Sequence, residues 1–434
     1  MARETAQLSA RQAERQRNVL AVPLSSRREA GPANALERWL VSKLYALIGS
    51  PDLRLTLWDG TGVGPEQASD QVRLGDRGVL PALLRHPHMA FGDLYSSGRI
   101  QVQGDLVRLL EGLYRAHQRA ARDRPRWLQR LWADHARPGA DSQGARDNIQ
   151  HHYDLGNDFY RLWLDRAAMQ YTCAYFEQPD ITLEQAQLAK LEHVCRKLRL
   201  QPGQQVIEAG CGWGGLARYM AREYGVRVRS YNISREQLAW ARQKAAEEGL
   251  EDRVEYIEDD YRNIRGHCDA FVSVGMLEHV GLRNYQALAS VMRRCLRGQG
   301  MGLIHTIGRN TPAPINAWIE RRIFPGAYVP SSAELMGLFE QGAFSVLDVE
   351  NLRLHYASTL NHWRQRFLEH RERVVADYDE SFARAWDLYL AGSEAAFRAG
   401  TLQLFQVVFA PGESNQVPIN RRYLYDSSAV PVDA

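Results

Sequence analysis

Gln205-Val206-Ile207-Glu208-Ala209-Gly210-Cys211-Gly212-Trp213-Gly214-Gly215 decides the fold of this chain. A short apolar run, suited to a buried parallel strand, meets closely spaced glycines, and behind them Leu216, Met220 and Tyr224 recur at helical spacing. Glycine serves two needs at such a corner. It turns the chain sharply from strand to helix, and it lets backbone N–H groups approach a ligand with no Cβ in the way. The stretch reads as a nucleotide cradle.

The pattern continues on both sides. Strands are expected at 205–209, 226–231, 254–258, 269–274, 301–307, 344–350 and 404–410, with helices between most of them. That alternation implies an α/β fold with a mostly parallel seven-stranded sheet, helices on both faces, and a ligand crevice beyond the carboxyl ends of the strands. An insertion near 311–335 and a helical stretch at 359–399 are placed to add a lid or wall.

The first third differs. Residues 1–33 are polar and Arg-rich and read as a flexible basic arm. Residues 34–135 form a smaller α+β domain: a helix through Trp39, Leu40, Leu44 and Leu47, a strand at Leu53–Trp58 ended by Asp59-Gly60, and a short strand then a helix between Phe91 and Tyr114. Residues 136–147 have linker composition, and the catalytic domain is expected over 148–434.

The chain has 434 residues, 45% hydrophobic and 24% charged, with a net charge of +3. That charge is divided: residues 1–150 hold 22 Lys and Arg against 16 Asp and Glu, and the remainder 32 against 35. The basic excess peaks at Arg115, Arg119, Arg122, Arg124, Arg126, Arg130 and Arg137, so an anionic surface is the expected partner of that half. No apolar run approaches the roughly 18 residues of a membrane span, and a cytoplasmic location is expected. The five cysteines include no C-x-x-C pair, which points to reduced thiols and away from a metal site. No nucleic-acid partner is expected.

A dinucleotide site of the NAD type wants an acid about 20 residues after the glycines. Here the next strand ends in Ser230-Tyr231-Asn232-Ile233-Ser234, with no carboxylate. Asn232 and Gln237 could bond a ribose instead, although Ser234 to Gln237 also reads as a capping box. One strand later, Asp260 and Tyr261 set an acid and an aromatic at a strand end, suited to an adenine amino group and ring. S-adenosylmethionine is favoured over NAD.

The segments His152-Tyr153-Asp154-Leu155-Gly156-Asn157-Asp158-Phe159, Met169-Gln170-Tyr171-Thr172-Cys173-Ala174-Tyr175-Phe176, Gly275-Met276-Leu277-Glu278-His279-Val280-Gly281 and Leu303-Ile304-His305-Thr306-Ile307-Gly308 resemble those of cyclopropane-fatty-acyl-phospholipid synthases, relatives of the mycolic acid cyclopropane synthases. The resemblance covers nearly the whole chain. It implies a class I S-adenosylmethionine-dependent methyltransferase, Rossmann-like in fold, that adds a methylene across a cis double bond of an unsaturated phospholipid. It also implies a homodimer working peripherally at the inner face of the cell membrane, with residues 34–135 as its lipid-binding and dimerisation domain.

Such chemistry has plain requirements. An alkene is a weak nucleophile, so the methyl must be held in line with one olefinic carbon. The resulting carbocation must be kept from water and faced by aromatic rings, for which Tyr153, Phe159, Tyr171, Tyr175 and Phe176 are candidates. A base must then remove a proton from the transferred methyl. The resemblance implies that this base is bicarbonate, held by the Cys173 backbone, Glu278, His305, the Ile307 backbone and Tyr356. It implies cofactor contacts from Tyr171, Thr172, Gly210, Gly212, Gly214, Asn232, Gln237, Asp260 and Tyr261. Cys173 then positions a group and is no nucleophile. One departure is Ser393, which stands where the family commonly has cysteine in a Tyr-Leu-x-x-Cys pattern.

Residues 115–132 join the arginines to Trp127, Leu128, Leu131 and Trp132. They read either as an interfacial helix starting near Pro125 or as an interdomain helix with a solvated basic face. Two other functions remain open: methyl or methylene branching of the chain from the same cation, and lipid binding without turnover.

Overall fold

Alternation along one strand sets the architecture. In β5 (Gln205–Ala209), Val206 and Ile207 point to opposite faces, and both are buried. Val206 joins a core with Leu216, Met220, Leu238 and Val272, whereas Ile207 joins Phe271, Leu288, Met292 and Phe339 on the other side. A strand buried on both faces belongs inside a sheet covered by helices on each side.

The computed structural model describes residues 31–122 and 155–425. The first described unit runs α1 (Ala35–Leu47), β1 (Arg54–Thr56), β2 (Gly62–Val63), β3 (Gln71–Leu74), α2 (Val79–Arg85), α3 (Pro87–Ser96), β4 (Ile100–Gln103) and α4 (Leu106–Arg122), with sheet order β2-β1-β3-β4. Phe91 lies in helix α3, so the strand expected from there begins only at Ile100. Residues 1–30 of the arm, the 136–147 linker, Tyr153, and Trp127 to Trp132 lie outside the described residues, whereas the end of the expected arm is held: Ala33 is buried and its N–H donates to Asp59 (2.7 Å).

The second unit opens with α5 (Asn157–Arg161) and α6 (Leu183–Lys197), followed after β5 by α7 (Gly215–Tyr224), β6 (Arg227–Asn232), α8 (Arg235–Glu247), β7 (Val254–Glu258) and β8 (Cys268–Val274). It continues with α9 (Tyr285–Cys295), β9 (Leu296–Gly308), α10 (Ala317–Arg322), α11 (Ser332–Gln341) and β10 (Phe344–Asn351). Helices α12 (Arg353–Glu369), α13 (Arg371–Asp377) and α14 (Glu380–Ala399) precede the last strand, β11 (Gln403–Pro411). The sheet order is β10-β11-β9-β8-β5-β6-β7; β11 runs antiparallel to both neighbours and the other pairs are parallel. All seven expected strands are present. Caps explain several helix starts: Thr182 and Gln185 form a reciprocal capping box at α6, as Ser331 and Glu334 do at α11.

The two units are fastened together. Arg384 of α14 donates to the carbonyls of Tyr95 (2.7 Å) and Ile100 (3.1 Å), with its guanidinium 4.4 Å from the Tyr95 ring centroid. In the expected lid region, α10 lays Trp318 against Gly92, and both the Trp318 indole (3.1 Å) and Arg322 (3.0 Å) donate to Asp93. The segment braces the smaller unit. One apolar cluster runs from Leu94 and Leu109 through Trp386 and Leu390 to Trp163, so the smaller unit roofs the larger one.

Candidate active site

The glycine loop lies where β5 ends. Gly214 has a left-handed backbone (φ 75°), and a Cβ there would collide with the Tyr256 ring, whose hydroxyl donates to Gly214 O (2.9 Å). Gly212 (φ 52°) faces open space. The N–H groups of Gly210 (2.9 Å) and Cys211 (3.2 Å) donate to Tyr231 O, tying the loop to the end of β6.

Asn232 and Gln237 are brought to this loop, with their amides engaged. Asn232 Nδ2 donates to Gly212 O (3.2 Å) and to Gln237 Oε1 (2.9 Å). Ser234 does cap α8, accepting from the Gln237 N–H (3.4 Å), but Gln237 uses its side chain on Asn232, so the expected capping box is half formed. Asp260 is similarly occupied by the Arg262 backbone (2.9 Å) and guanidinium (2.8 Å), beside the buried Tyr261 hydroxyl.

A second loop closes the crevice. Asp165 accepts the N–H groups of Ala168, Met169 and Gln170 (2.7, 3.0 and 2.7 Å), which turns the chain toward Tyr171, Thr172 and Cys173. Lys190 of α6, fully buried, donates to Gln170 Oε1 (2.6 Å) and Thr172 Oγ1 (2.9 Å). Burial lowers its pKa to about 8 against the opposing pull of Asp165. Ala174 N–H then donates to Thr359 Oγ1 (3.0 Å), and Cys173 Sγ lies 3.9 Å from Leu352 O. Leu352, Tyr356 and Thr359 share one helix face at i, i+4 and i+7, so Cys173 and Tyr356 fall on the same side of α12. Burial pushes the Cys173 thiol far up, which suits a neutral positioning group and argues against a thiolate.

Glu278, His305 and Ile307 form one constellation. The Glu278 carboxylate is buried in the 3-10 turn Leu277–His279 just after β8, and its Oε1 accepts the Ile307 N–H (2.7 Å). Gly275 N–H donates to His305 O (2.9 Å), which fixes this turn against β9. Desolvation raises Glu278 to about 7, with the Ile307 bond pulling the other way. Gln406 Nε2 of β11 donates to His305 Nδ1 (3.1 Å), leaving the ring proton on Nε2. Burial, then the charges of Lys190 and Lys197, hold His305 well below its usual range, so the imidazole is neutral. Glu278 Oε2 and His305 Nε2 are buried without a protein partner.

Two unmet groups, a carboxylate oxygen and an N–H donor, fit a small ion that can both accept and donate hydrogen bonds, and bicarbonate has that chemistry. The Ile307 N–H, expected on the ion, is held here by Glu278. Among the described residues no cluster of His, Cys, Asp or Glu could hold a metal.

Aromatic rings cluster around Tyr171, at the start of the Tyr171–Cys173 loop. Trp163 packs with Tyr160 (5.5 Å between centroids), Tyr171 (5.2 Å), Trp363 (5.6 Å) and Trp386 (5.9 Å), and the Tyr171 and Tyr389 hydroxyls share a hydrogen bond (2.7 Å). Phe159 joins them at 4.9 Å from Trp386. Tyr175 and Phe176 do not belong to this wall: Tyr175 stacks between His193 (4.3 Å) and His355 (4.8 Å), and Phe176 on His362 (5.5 Å). Ser393 follows Gly392, which faces Tyr114 of α4. Sequence reading passed over Lys190 and Gln406. Each had a signal: a lysine on the apolar repeat of α6, and a glutamine inside the apolar run Leu404–Ala410.

This sheet order, with a glycine cradle lacking a ribose carboxylate, defines an S-adenosylmethionine-dependent methyltransferase. A solved mycolic acid cyclopropane synthase, CmaA1 complexed with SAH and CTAB, is similar at 31% identity and TM-score 0.58, covering 61% of this chain and 97% of that one. Residues 140–407 match the family described as Mycolic acid cyclopropane synthetase, and the chain belongs to that family of enzymes. Among curated relatives, a probable fatty acid methyltransferase of Pseudomonas putida is 37% identical over 392 residues, 86% of this chain and 96% of that protein. The cyclopropane-fatty-acyl-phospholipid synthase of Escherichia coli K12 is 42% identical over 271 residues, 62% and 69% of the two chains.

Proposed function

We propose that this enzyme transfers a methylene group from S-adenosylmethionine to the cis double bond of an unsaturated phospholipid acyl chain and closes a cyclopropane ring. The observation that carries the reading is that Glu278 Oε2 and His305 Nε2, on a turn and a strand joined by the Glu278–Ile307 and Gly275–His305 bonds, are both buried and unmet. S-adenosylmethionine, when bound at the Gly210–Gly215 loop with Tyr171, Thr172, Asn232, Gln237, Asp260 and Tyr261, supplies the electrophilic methyl. Bicarbonate, when held by Glu278, His305, Tyr356 and the Cys173 backbone, supplies the base for the proton of the transferred methyl, with the Ile307 N–H holding Glu278 in place.

The chain's own residues do the rest. Lys190 fixes the Tyr171–Cys173 loop through Gln170 and Thr172, which aims the cofactor side of the crevice. Trp163, Tyr160, Trp363 and Tyr171 exclude water and turn π faces toward a developing carbocation. His305 donates from Nε2, and Glu278, near its own midpoint at neutral pH, accepts or shares a proton at Oε2.

A second reading keeps the cofactor and the lipid but ends in a methyl-branched or methylene chain. It is favoured by the Pseudomonas putida relative, which matches almost end to end and is described as a probable fatty acid methyltransferase. Product identification after incubation with cis-unsaturated phospholipid vesicles separates the two readings: ring protons support the first, new methyl or vinyl signals the second. Homodimerisation and action at the inner membrane face also belong to this proposal, and among the described residues no helix is long and apolar enough to cross a membrane.

A further inference from the structure

Arg309 stands just past the carboxyl end of β9 with its charge unanswered. The extended backbone continues there, since the Arg309 N–H donates to Pro330 O (2.8 Å) and the Ser332 N–H to Arg309 O (2.8 Å). His305, Ile307 and Arg309 therefore leave the chain on the same side. Nη1 of the guanidinium donates to Pro314 O (2.7 Å), whereas Nε is buried without a partner. Among the described residues it is the only arginine or lysine nitrogen in that condition. The one carboxylate whose charge reaches it, Glu334, is already taken by both the Tyr328 hydroxyl (3.0 Å) and the Ser331 N–H (2.8 Å). Burial accordingly holds the Arg309 pKa below its usual range, with Tyr328, Tyr114 and Glu334 pulling the other way. A buried cation with an unmet donor is costly unless something supplies the missing negative charge.

Two tyrosines border the position. The Tyr328 N–H donates to Glu278 O (2.8 Å), so this corner adjoins the turn that carries Glu278. Tyr114 of α4 is near enough for the Arg309 charge to lower its pKa against the lift from burial, and among the described residues its hydroxyl has no hydrogen-bond partner. A Cβ on Gly392 would come within 3.8 Å of that hydroxyl, which sets it against the helix that carries Tyr389. Guanidinium and phenol are thus two open donors at the seam between the smaller unit and β9. Such donors suit a phosphate oxyanion, which an arginine fork matches in shape and charge. Residues 305 to 309 span about 13 Å of extended chain, comparable with the stretch between a mid-chain double bond and a phospholipid headgroup.

We infer that Arg309, with Tyr114, binds the phosphodiester of the lipid substrate and anchors its acyl chain from the headgroup end. The inference rests on the lipid reading above. A free phosphate ion has the same chemistry, and the test separates the two. Full-length wild type is compared with Arg309→Met, Arg309→Lys and Tyr114→Phe, each checked for folding by thermal unfolding. Turnover is measured on a cis-unsaturated phosphatidylglycerol and on the diacylglycerol with the same chains, both dispersed in a non-ionic detergent.

Wild type favours the phospholipid. Arg309→Met raises the KM for phosphatidylglycerol by about tenfold or more, far more than for the diacylglycerol, with little change for S-adenosylmethionine. Arg309→Lys recovers part of that loss. Tyr114→Phe, which removes only a hydroxyl, shows a smaller shift in the same direction and keeps the test open if Arg309→Met does not fold. Equal losses on the two lipids, no loss on either, or a wild type indifferent to the phosphate overturns the inference. Calorimetry with the saturated short-chain lipid dihexanoylphosphatidylglycerol, and with inorganic phosphate, reads binding apart from turnover. Binding of the short-chain lipid that weakens in Arg309→Met supports the inference; binding that does not weaken, or phosphate bound as tightly as the lipid, overturns it. A wild type that binds the short-chain lipid through Arg309 but turns over neither unsaturated lipid refutes the substrate reading and leaves the anion site standing.

Discussion

Replacing Glu278 by glutamine separates what this residue costs the fold from what it gives the reaction. Burial lifts its carboxyl from 4.5 to about 7. Because the folded value is above the unfolded one, the folded chain binds more protons between those two values, so the contribution to stability is present at low pH and lost as pH rises through the window. At about 1.4 kcal/mol per pH unit, the ionised residue costs roughly 3 kcal/mol at pH 8 and under about 1 kcal/mol at pH 5. Glutamine keeps an oxygen for the Ile307 N–H and carries no charge. Glu278→Gln is therefore expected to exceed wild type in stability by up to about 3 kcal/mol at pH 8, with most of that advantage gone at pH 5, and to lose most product formation. Denaturant unfolding of both proteins at the two pH values measures it, and groups common to both, Glu208 included, cancel in the comparison. An equal stability difference at pH 5 and pH 8 would refute the reasoning that a buried, unmet carboxylate sits here.

Further outcomes follow from the same geometry. Cys173→Ser should retain appreciable turnover, because the thiol is neutral and its neighbours are backbone and Thr359; a well-folded, inactive variant in a product assay contradicts this. His305→Ala should lose most activity with cofactor binding by calorimetry little changed, as expected under the proposal that its unmet Nε2 serves the base and not the methyl donor. Gly214→Ala should weaken cofactor binding and lower the melting temperature, at a cost of about 1–3 kcal/mol for a strained, colliding residue. Lys190→Met should raise the KM for S-adenosylmethionine more than it lowers kcat, with Lys190→Arg failing to rescue because the buried pocket is shaped for an ammonium.

The sheet was legible in the sequence because its strands are apolar and evenly separated by helical repeats; Gln205–Ala209 and Val254–Glu258 fall where the pattern put them. Phe91 misled because a lone aromatic between Ala90 and Gly92 has no distinctive period in so short a segment, and the helix there is set by Pro87 at its first turn. In the candidate site, Glu278, His305 and Ile307 were picked out through motifs. The contact between Glu278 and the Ile307 N–H was not, since it depends on how a turn after β8 meets β9. The roles of Asn232 and Asp260 were similarly hidden: the residue types suit a nucleotide, but loop geometry gives each a neighbour within the chain first. Tyr175 looked like a wall residue from its place in an aromatic run, yet it stacks between histidines of α6 and the far more distant α12.

The central claim is the fate of the methyl group. Purified protein is incubated with S-adenosylmethionine carrying a ¹³C-labelled methyl, bicarbonate and vesicles of a cis-monounsaturated phospholipid, and the released fatty esters are examined by mass spectrometry and proton NMR. A gain of one labelled CH₂ with high-field ring-proton signals is expected. A labelled methyl branch, a vinylidene signal, or unlabelled esters would contradict it.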